Sequence, residues 1–399
     1  MSGVQINGFV ADGFERVRDA FRANFTEHGD VGAGFALYVG GDLKVDLTGG
    51  VADPGTDAPY TEDTLQLVFS TTKGAAAVCA HILADRGLLD FDAPVTTYWP
   101  EFGQAGKQDV PVRWLLSHRV GLPVVDHPPS LEEVLRWDPI VECLAAATPV
   151  WEPGTSHGYH ALTYGWLVGE VVRRVSGMSI GQFFAENVAG PLGLDFWIGL
   201  PAEEQARVSP MIATVPGEGA LPDLSKLPPE ILERLGDMAN AAMSPDSLMN
   251  RALSLNGVFS LQGRMPWNTD EVRAAQIPAA NGITNARSHA KMYAATIGEV
   301  DGVRLLSDEA VKRACEEQSN GRDECLIVDT RFGLGFFLPS TFSPLAGPTS
   351  FGHAGAGGSL GMADPDLGIG YGYVMNKMSL GLSDDPRTAT LIEAAKACF

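Results

Sequence analysis

The chain has 399 residues, 45% of them hydrophobic, which is enough for a well-buried core and, by length alone, for two or three domains. A formal net charge of −21 disfavours a surface that binds nucleic acid or docks on an anionic membrane. The opening MSGVQINGFVADGFERVRDAF lacks the basic, apolar and cleavage regions of a secretory signal, and no apolar run nears the ~20 residues of a membrane span, so a cytoplasmic protein is expected.

In chain order, ADGFERVRDAFRANFTEH (11–28) places Phe14, Val17, Phe21 and Phe25 at helical steps of three and four. GFALYVGGDLKVDLTGG reads as a hairpin turning at Gly40, Gly41 and Asp42, and LQLVF as a short strand before a helix that carries Ser70 and Lys73. From Gly87 to Ala280 helical segments alternate with Pro- and Gly-rich loops: VPVRWLLSHRVGLP, SLEEVLRWDPIVECLAAA and YHALTYGWLVGEVVRRVSG, with VPGEGALPDLSKLPPE as a surface loop. SHAKMYAATIG reads as a helix. β character returns in RFGLGFFL, SFGHAGAGG, SLGMADP and GIGYGYVMN, and TATLIEAAKACF closes the chain as a helix. Strands at both ends with helices between them predict one α/β domain built from residues 1–86 and 281–399, with a mainly helical domain, 87–280, inserted.

Cofactor and metal signatures are missing. The five cysteines are scattered without CxxC pairing, the histidine pair His157 and His160 is not an HExxH motif, and no phosphate- or dinucleotide-binding glycine pattern occurs. The chemistry-bearing candidates are serines. Ser70 with Lys73 and Ser288 with Lys291 fit SxxK, while GTSHG around Ser156 and GGSLG around Ser359 fit GxSxG.

GxSxG chemistry needs a strand, a strained turn and a helix. A proline precedes Ser156 where that strand should run, and GGSLG continues into a strand; Ser156 with a later aspartate and His353 would still keep the Ser, Asp, His order of α/β-hydrolases. SxxK on a helix puts the hydroxyl and the amine on one face. As a base, the lysine must lose its charge near neutral pH, so its pKa must fall by about three from ~10.4, a cost of roughly 4 kcal/mol met by desolvation or cationic surroundings. Ser70 follows an apolar strand and begins a helix, where amides favour developing negative charge. Ser288 follows the candidate caps Thr284 and Asn285 and reads as an ordinary helix residue. Ser70 itself remains open to a helix-capping role.

FSTTK, WEPGTSHGYHALTYGWLVGEVVRRVSG, GHAGAGGSLGMADP and GYGYVMN, supported by RWLLSHRVGLP and NGITNARSHAKMYAA, occur in the order found in the serine β-lactamase and penicillin-binding-protein superfamily. The chain most resembles the family VIII carboxylesterases, esterases built like class C β-lactamases. The resemblance implies an α+β fold, an antiparallel sheet flanked by helices with a helical domain inserted. It also implies Ser70 as nucleophile, Lys73 as its base and Tyr159 as a third catalytic member. The amides of Ser70 and Ala356 would form the oxyanion hole, and His353 and Gly355 would stand in the KTG element, Gly355 letting the backbone approach the substrate.

Two departures narrow the substrate. Where β-lactamases and peptidases read YxN, this chain reads Tyr159, His160, Ala161, and His353 replaces the KTG lysine that pairs with a β-lactam carboxylate. The resulting expectation is a cofactor-free serine hydrolase of short carboxylic esters. A β-lactamase or D-amino-acid peptidase, an acyltransferase and a non-catalytic binding protein of the same fold are alternatives. Its partner would be a small ester, not nucleic acid or a membrane, with pocket walls near Trp151, Trp166 and the loop after Val215; oligomeric state is left open.

Overall fold

A computed structural model describes residues 4–214, 229–260, 265–379 and 385–399. It is an α+β fold. Its main sheet runs in the order Ile6–Val10, Asp42–Asp53, Gly32–Val39, Ile369–Met375, Leu360–Asp364, Phe351–Ala354, with Ala58–Pro59 added beside Asp42–Asp53. Every neighbouring pair is antiparallel. The centre of this sheet joins strands from near the two ends of the chain: Ala33 faces Met375 and Leu37 faces Tyr371.

The alternation of side chains along these central strands explains why helices cover both faces. On one face lie Gly34, Gly370 and Gly372, so the helix Ala286–Ile297 sits directly on the sheet; a Cβ at Gly370 would come within 2.4 Å of the Ala294 nitrogen. On the other lie Phe35, Tyr371 and Tyr373, where Phe35 and Tyr371 meet edge to face at 5.0 Å. Helices Glu15–Glu27 and Pro386–Lys396 pack together, the first also against Ile6–Val10 and Asp42–Asp53.

The expected hairpin forms, with Val39 opposite Asp42, and the expected first helix buries Val17 and Phe21. The strand Ile6–Val10 was not anticipated, since its INGFV exposes three consecutive middle residues and shows no alternation. RFGLGFFL contributes only Arg331 and Phe332 to a strand, after which the chain bends so that Phe337 bridges to Phe332 and Gly352. The loop after Val215 lies outside the described residues up to 228, and Pro229–Met243 is helical.

Residues 87–280 are mainly helical among those described, and two of their short strands enter a second sheet. There Phe196–Ile198 and Val208–Ser209 flank Gly282–Thr284 and Leu65–Leu67. Val208–Ser209 is therefore paired with the strand that leads to Ser70.

One buried ion network fastens the C-terminal helix. Arg387 bonds Asp30 at 2.8 Å, Asp385 at 2.7 Å and the carbonyls of Lys377 and Gly357, while the Tyr373 hydroxyl donates to Asp30 at 2.6 Å. Removing the guanidinium leaves two buried carboxylates without their cation, which typically costs ~3–5 kcal/mol. Arg387→Met is accordingly expected to lower the unfolding free energy by about that amount, read from urea denaturation; a loss under ~1 kcal/mol would show that the network adds little.

Candidate active site

The strand Leu65–Leu67 ends in a sharp turn. Phe69 has φ +45°, a left-handed conformation that costs a non-glycine residue of order 1–3 kcal/mol, and the tight turn Phe69–Thr71 runs straight into the helix Thr72–Asp85. Neighbouring bonds hold the strained turn. Thr72 Oγ1 donates to the Phe69 carbonyl at 2.5 Å and accepts from Gly282 N at 2.8 Å, and the Phe69 ring packs on Trp267 at 5.4 Å. The turn presents Ser70 to a cleft lined by Tyr159, Leu253, Leu326, Phe337, Phe342, Ala354 and Ala356.

Behind Ser70 the Lys73 side chain is completely buried. Its Nζ lies 3.1 Å from Ser70 Oγ, 2.7 Å from the Ala161 carbonyl and 3.0 Å from the Ala279 carbonyl. Burial pushes its pKa well below the ordinary lysine value. A neutral amine has two N–H groups and one lone pair. In that state the two carbonyls would take the N–H groups and the lone pair would face the Ser70 hydroxyl.

Tyr159 lines the cleft beside Ser70, and its ring lies 4.7 Å from Lys73 Nζ. Burial raises the phenol pKa, so this group is protonated at neutral pH. Ser70 and Tyr159 thus share one cleft, with the buried Lys73 amine 3.1 Å from Ser70 Oγ.

The strand Phe351–Ala354 brings the third element alongside. Gly355 N donates to the Ser359 carbonyl at 2.8 Å, and Ser359 Oγ donates to the Val68 carbonyl at 2.8 Å and lies 3.0 Å from Thr71 Oγ1. A Cβ on Gly355 would fall 2.2 Å from the Val68 carbonyl oxygen and 2.3 Å from Ser359 Oγ. The missing side chain therefore admits the nucleophile turn, whereas the sequence reading had it admit substrate. Ala356 lines the cleft with Ser70. His353 is buried under the Phe337 ring at 4.5 Å, with Nδ1 bonded to the Ala354 carbonyl at 2.7 Å. Burial, and then the nearby Lys73, hold its pKa well below the ordinary value, so it presents no cation to a carboxylate.

The two tryptophans placed at the pocket walls lie elsewhere. Trp166 is fully buried on the helix Thr163–Ser176 and packs on Trp137 at 6.2 Å, because its position faces the helical core. Trp151 lies edge-on to His160 and directs Nε1 to the Arg119 carbonyl at 3.4 Å. The walls come instead from Leu253, Leu326, Phe337 and Phe342, isolated apolar residues whose spacing carries no signal.

The competing serines are accounted for by local bonds. Ser359 braces the nucleophile turn. Ser288 accepts from Asp195 N at 2.9 Å, and Lys291 bonds the Leu192 carbonyl and Asp301, each at 2.7 Å. Asn285, one of the two expected caps, accepts from Ser288 N. Ser156 directly follows the turn at 153–155 and is not among the residues that line the cleft.

Comparison with known proteins agrees with this architecture over its whole extent. The esterase/β-lactamase LipL of Mycobacterium tuberculosis (strain ATCC 25618 / H37Rv) is 34% identical over 94% of this chain and 84% of its own. A solved family VIII carboxylesterase superposes with a TM-score of 0.86 at 39% identity, covering 99% of this chain and 100% of that one. A penicillin-binding protein homologue from Caulobacter crescentus gives 0.83 at 36% identity, covering 99% and 100%. With residues 17–396 matching the β-lactamase family model as well, the chain belongs to the β-lactamase family.

Proposed function

We propose that the protein is a serine carboxylesterase, needing no cofactor, that cleaves short-chain esters through an acyl-enzyme on Ser70. The observation that carries this reading is the Lys73 amine, completely buried, with Nζ within hydrogen-bond distance of two backbone carbonyls and of Ser70 Oγ. In the first step Lys73 takes the Ser70 proton as Oγ bonds to the ester carbonyl carbon. The amides of Ser70 and Ala356 receive the oxyanion, Tyr159 gives its proton to the departing alkoxide, and Lys73 returns one to the phenolate. Water then attacks the acyl carbon, and its proton passes through the Tyr159–Lys73 pair to Ser70 Oγ as the bond from that oxygen to the acyl carbon breaks, which releases the acid and restores the enzyme.

The choice of a neutral ester rests on the cleft wall. Leu253, Leu326, Phe337, Phe342 and Ala354 are apolar, and among the described residues that line the cleft none is cationic. A β-lactam or peptide carboxylate would enter without a counter-ion, against a chain of net charge −21. The same likeness to esterases supports hydrolysis of esters as the activity. Among the described residues no helix is long and apolar enough to cross a membrane, and all five cysteines are free, which supports a cytoplasmic location.

A panel of p-nitrophenyl esters of graded acyl length, a chromogenic cephalosporin and a D-Ala-D-Ala peptide tests the substrate class. The highest kcat/KM is expected on short acyl esters; preference for the cephalosporin or the peptide would overturn the proposal. Ser70→Ala should lower kcat by about 10⁴-fold or more, while Ser156→Ala and Ser288→Ala stay within about threefold.

Two further measurements address Lys73. Lys73→Arg places at this position a guanidinium that stays protonated and offers no lone pair at any working pH, so it should be as inactive as Ser70→Ala. Because the protonated amine cannot act as base, wild-type kcat/KM should fall as pH drops through the depressed lysine pKa, and reach its plateau well below ~10.4. An acid limb centred at the ordinary lysine value would contradict the assignment.

A further inference from the structure

Tyr159 is held by its backbone as well as by its ring. Its amide donates to Oδ1 of Asp323 at 3.0 Å, and the same oxygen takes the amides of Cys325 at 2.9 Å and Leu326 at 2.8 Å. Oδ2 accepts from the Thr330 hydroxyl at 3.1 Å, and Thr330 Oγ1 in turn lies 3.0 Å from His157 Nε2. Asp323 is fully buried. Its bonds to Cys325 and Leu326 close its own turn, as aspartates commonly do. The bond to Tyr159, 164 positions away, has no such local purpose.

The surrounding backbone is fixed around this contact. Glu324 N bonds the His157 carbonyl at 3.0 Å, Gly158 N the His118 carbonyl at 3.1 Å, and His160 N the His118 Nδ1 at 3.1 Å. Ile327 and His118 have φ of +63° and +61°. A β-branched residue there is a true outlier, tolerated where surrounding contacts over-determine it. Both segments that Asp323 joins reach the cleft, one through Tyr159 and the other through Leu326.

We infer that Asp323 is the positioning residue for Tyr159: its carboxylate sets the height of the phenol over Ser70 and locks it to the Leu326 wall. This rests on the proposed ester hydrolysis, in which Tyr159 protonates the leaving alcohol. A misplacement of about 1 Å in such a group costs on the order of 100-fold. The loss depends on the leaving group, since p-nitrophenolate departs without a proton and an alkoxide does not.

The experiment compares kcat/KM, which reports acylation, on ethyl butyrate and p-nitrophenyl butyrate. Asp323→Ala should lose about 100-fold on the ethyl ester and less than about tenfold on the nitrophenyl ester. Asp323→Asn, which keeps a carbonyl oxygen for the three amides, should stay within about threefold on both. Equal losses on the two esters, or none, in Asp323→Ala would overturn the inference. So would a loss beyond tenfold in Asp323→Asn, the variant that decides the matter if Asp323→Ala does not fold. A crystal structure of either variant reads the same claim without substrate: the Tyr159 hydroxyl must leave Ser70 in the alanine variant, and must keep its place in the asparagine variant. Failure of the wild type on both esters would sink the esterase reading alone, with the position of the phenol still deciding the role of Asp323.

Discussion

An amine taken out of water is stable only if it gives up its charge or finds enough partners to keep it, and the site is organised around that condition at Lys73. Two backbone carbonyls, 88 and 206 positions along the chain, come from the tyrosine segment and from the stretch before Gly282–Thr284. Neither can be moved without leaving an N–H or the lone pair misdirected. The arrangement costs stability. An unfolded chain keeps the lysine proton up to about pH 10.4, whereas the folded chain releases it at a lower pH, so unfolding takes up a proton in that window and stability rises with pH across it.

The remaining architecture supplies the rigidity that this condition demands. The left-handed Phe69 aims Ser70, and its strain is balanced by the Thr72 bonds and by the Trp267 ring, itself stacked on Phe259 at 4.4 Å. Ser359 and Gly355 press the third strand against the same turn. Arg387 reaches from the C-terminal helix to the Gly357 carbonyl, one residue beyond Ala356. Sheet, helix and insertion thus converge on a few backbone atoms around one serine.

Local signals in the sequence were strong where one element decides its own fate. The 3.6-residue spacing of Val17 and Phe21, the Gly40–Gly41 turn and the strands after residue 350 are each written in neighbouring residues, and they formed as expected. Ser70 and Lys73 were legible for the same reason, being one helical turn apart. What a distant segment supplies leaves no such trace. The carbonyls of Ala161 and Ala279 belong to residues of no chemical distinction, and Asp323 stands in NGRDECL without a motif around it. Trp151 and Trp166 misled because aromatic size was taken for proximity to substrate, while packing against Trp137 and His160 uses it elsewhere.

The pairing of Gly32–Val39 with Ile369–Met375 bears on the order in which the molecule comes into being. During synthesis the apolar strand GAGFALYV has its hairpin partner at once, but its other edge must wait for more than three hundred further residues. An unpaired apolar edge is a template for unwanted association. The nascent protein therefore carries an aggregation hazard at the strand that later becomes the middle of the finished sheet, until Ile369–Met375 has been made.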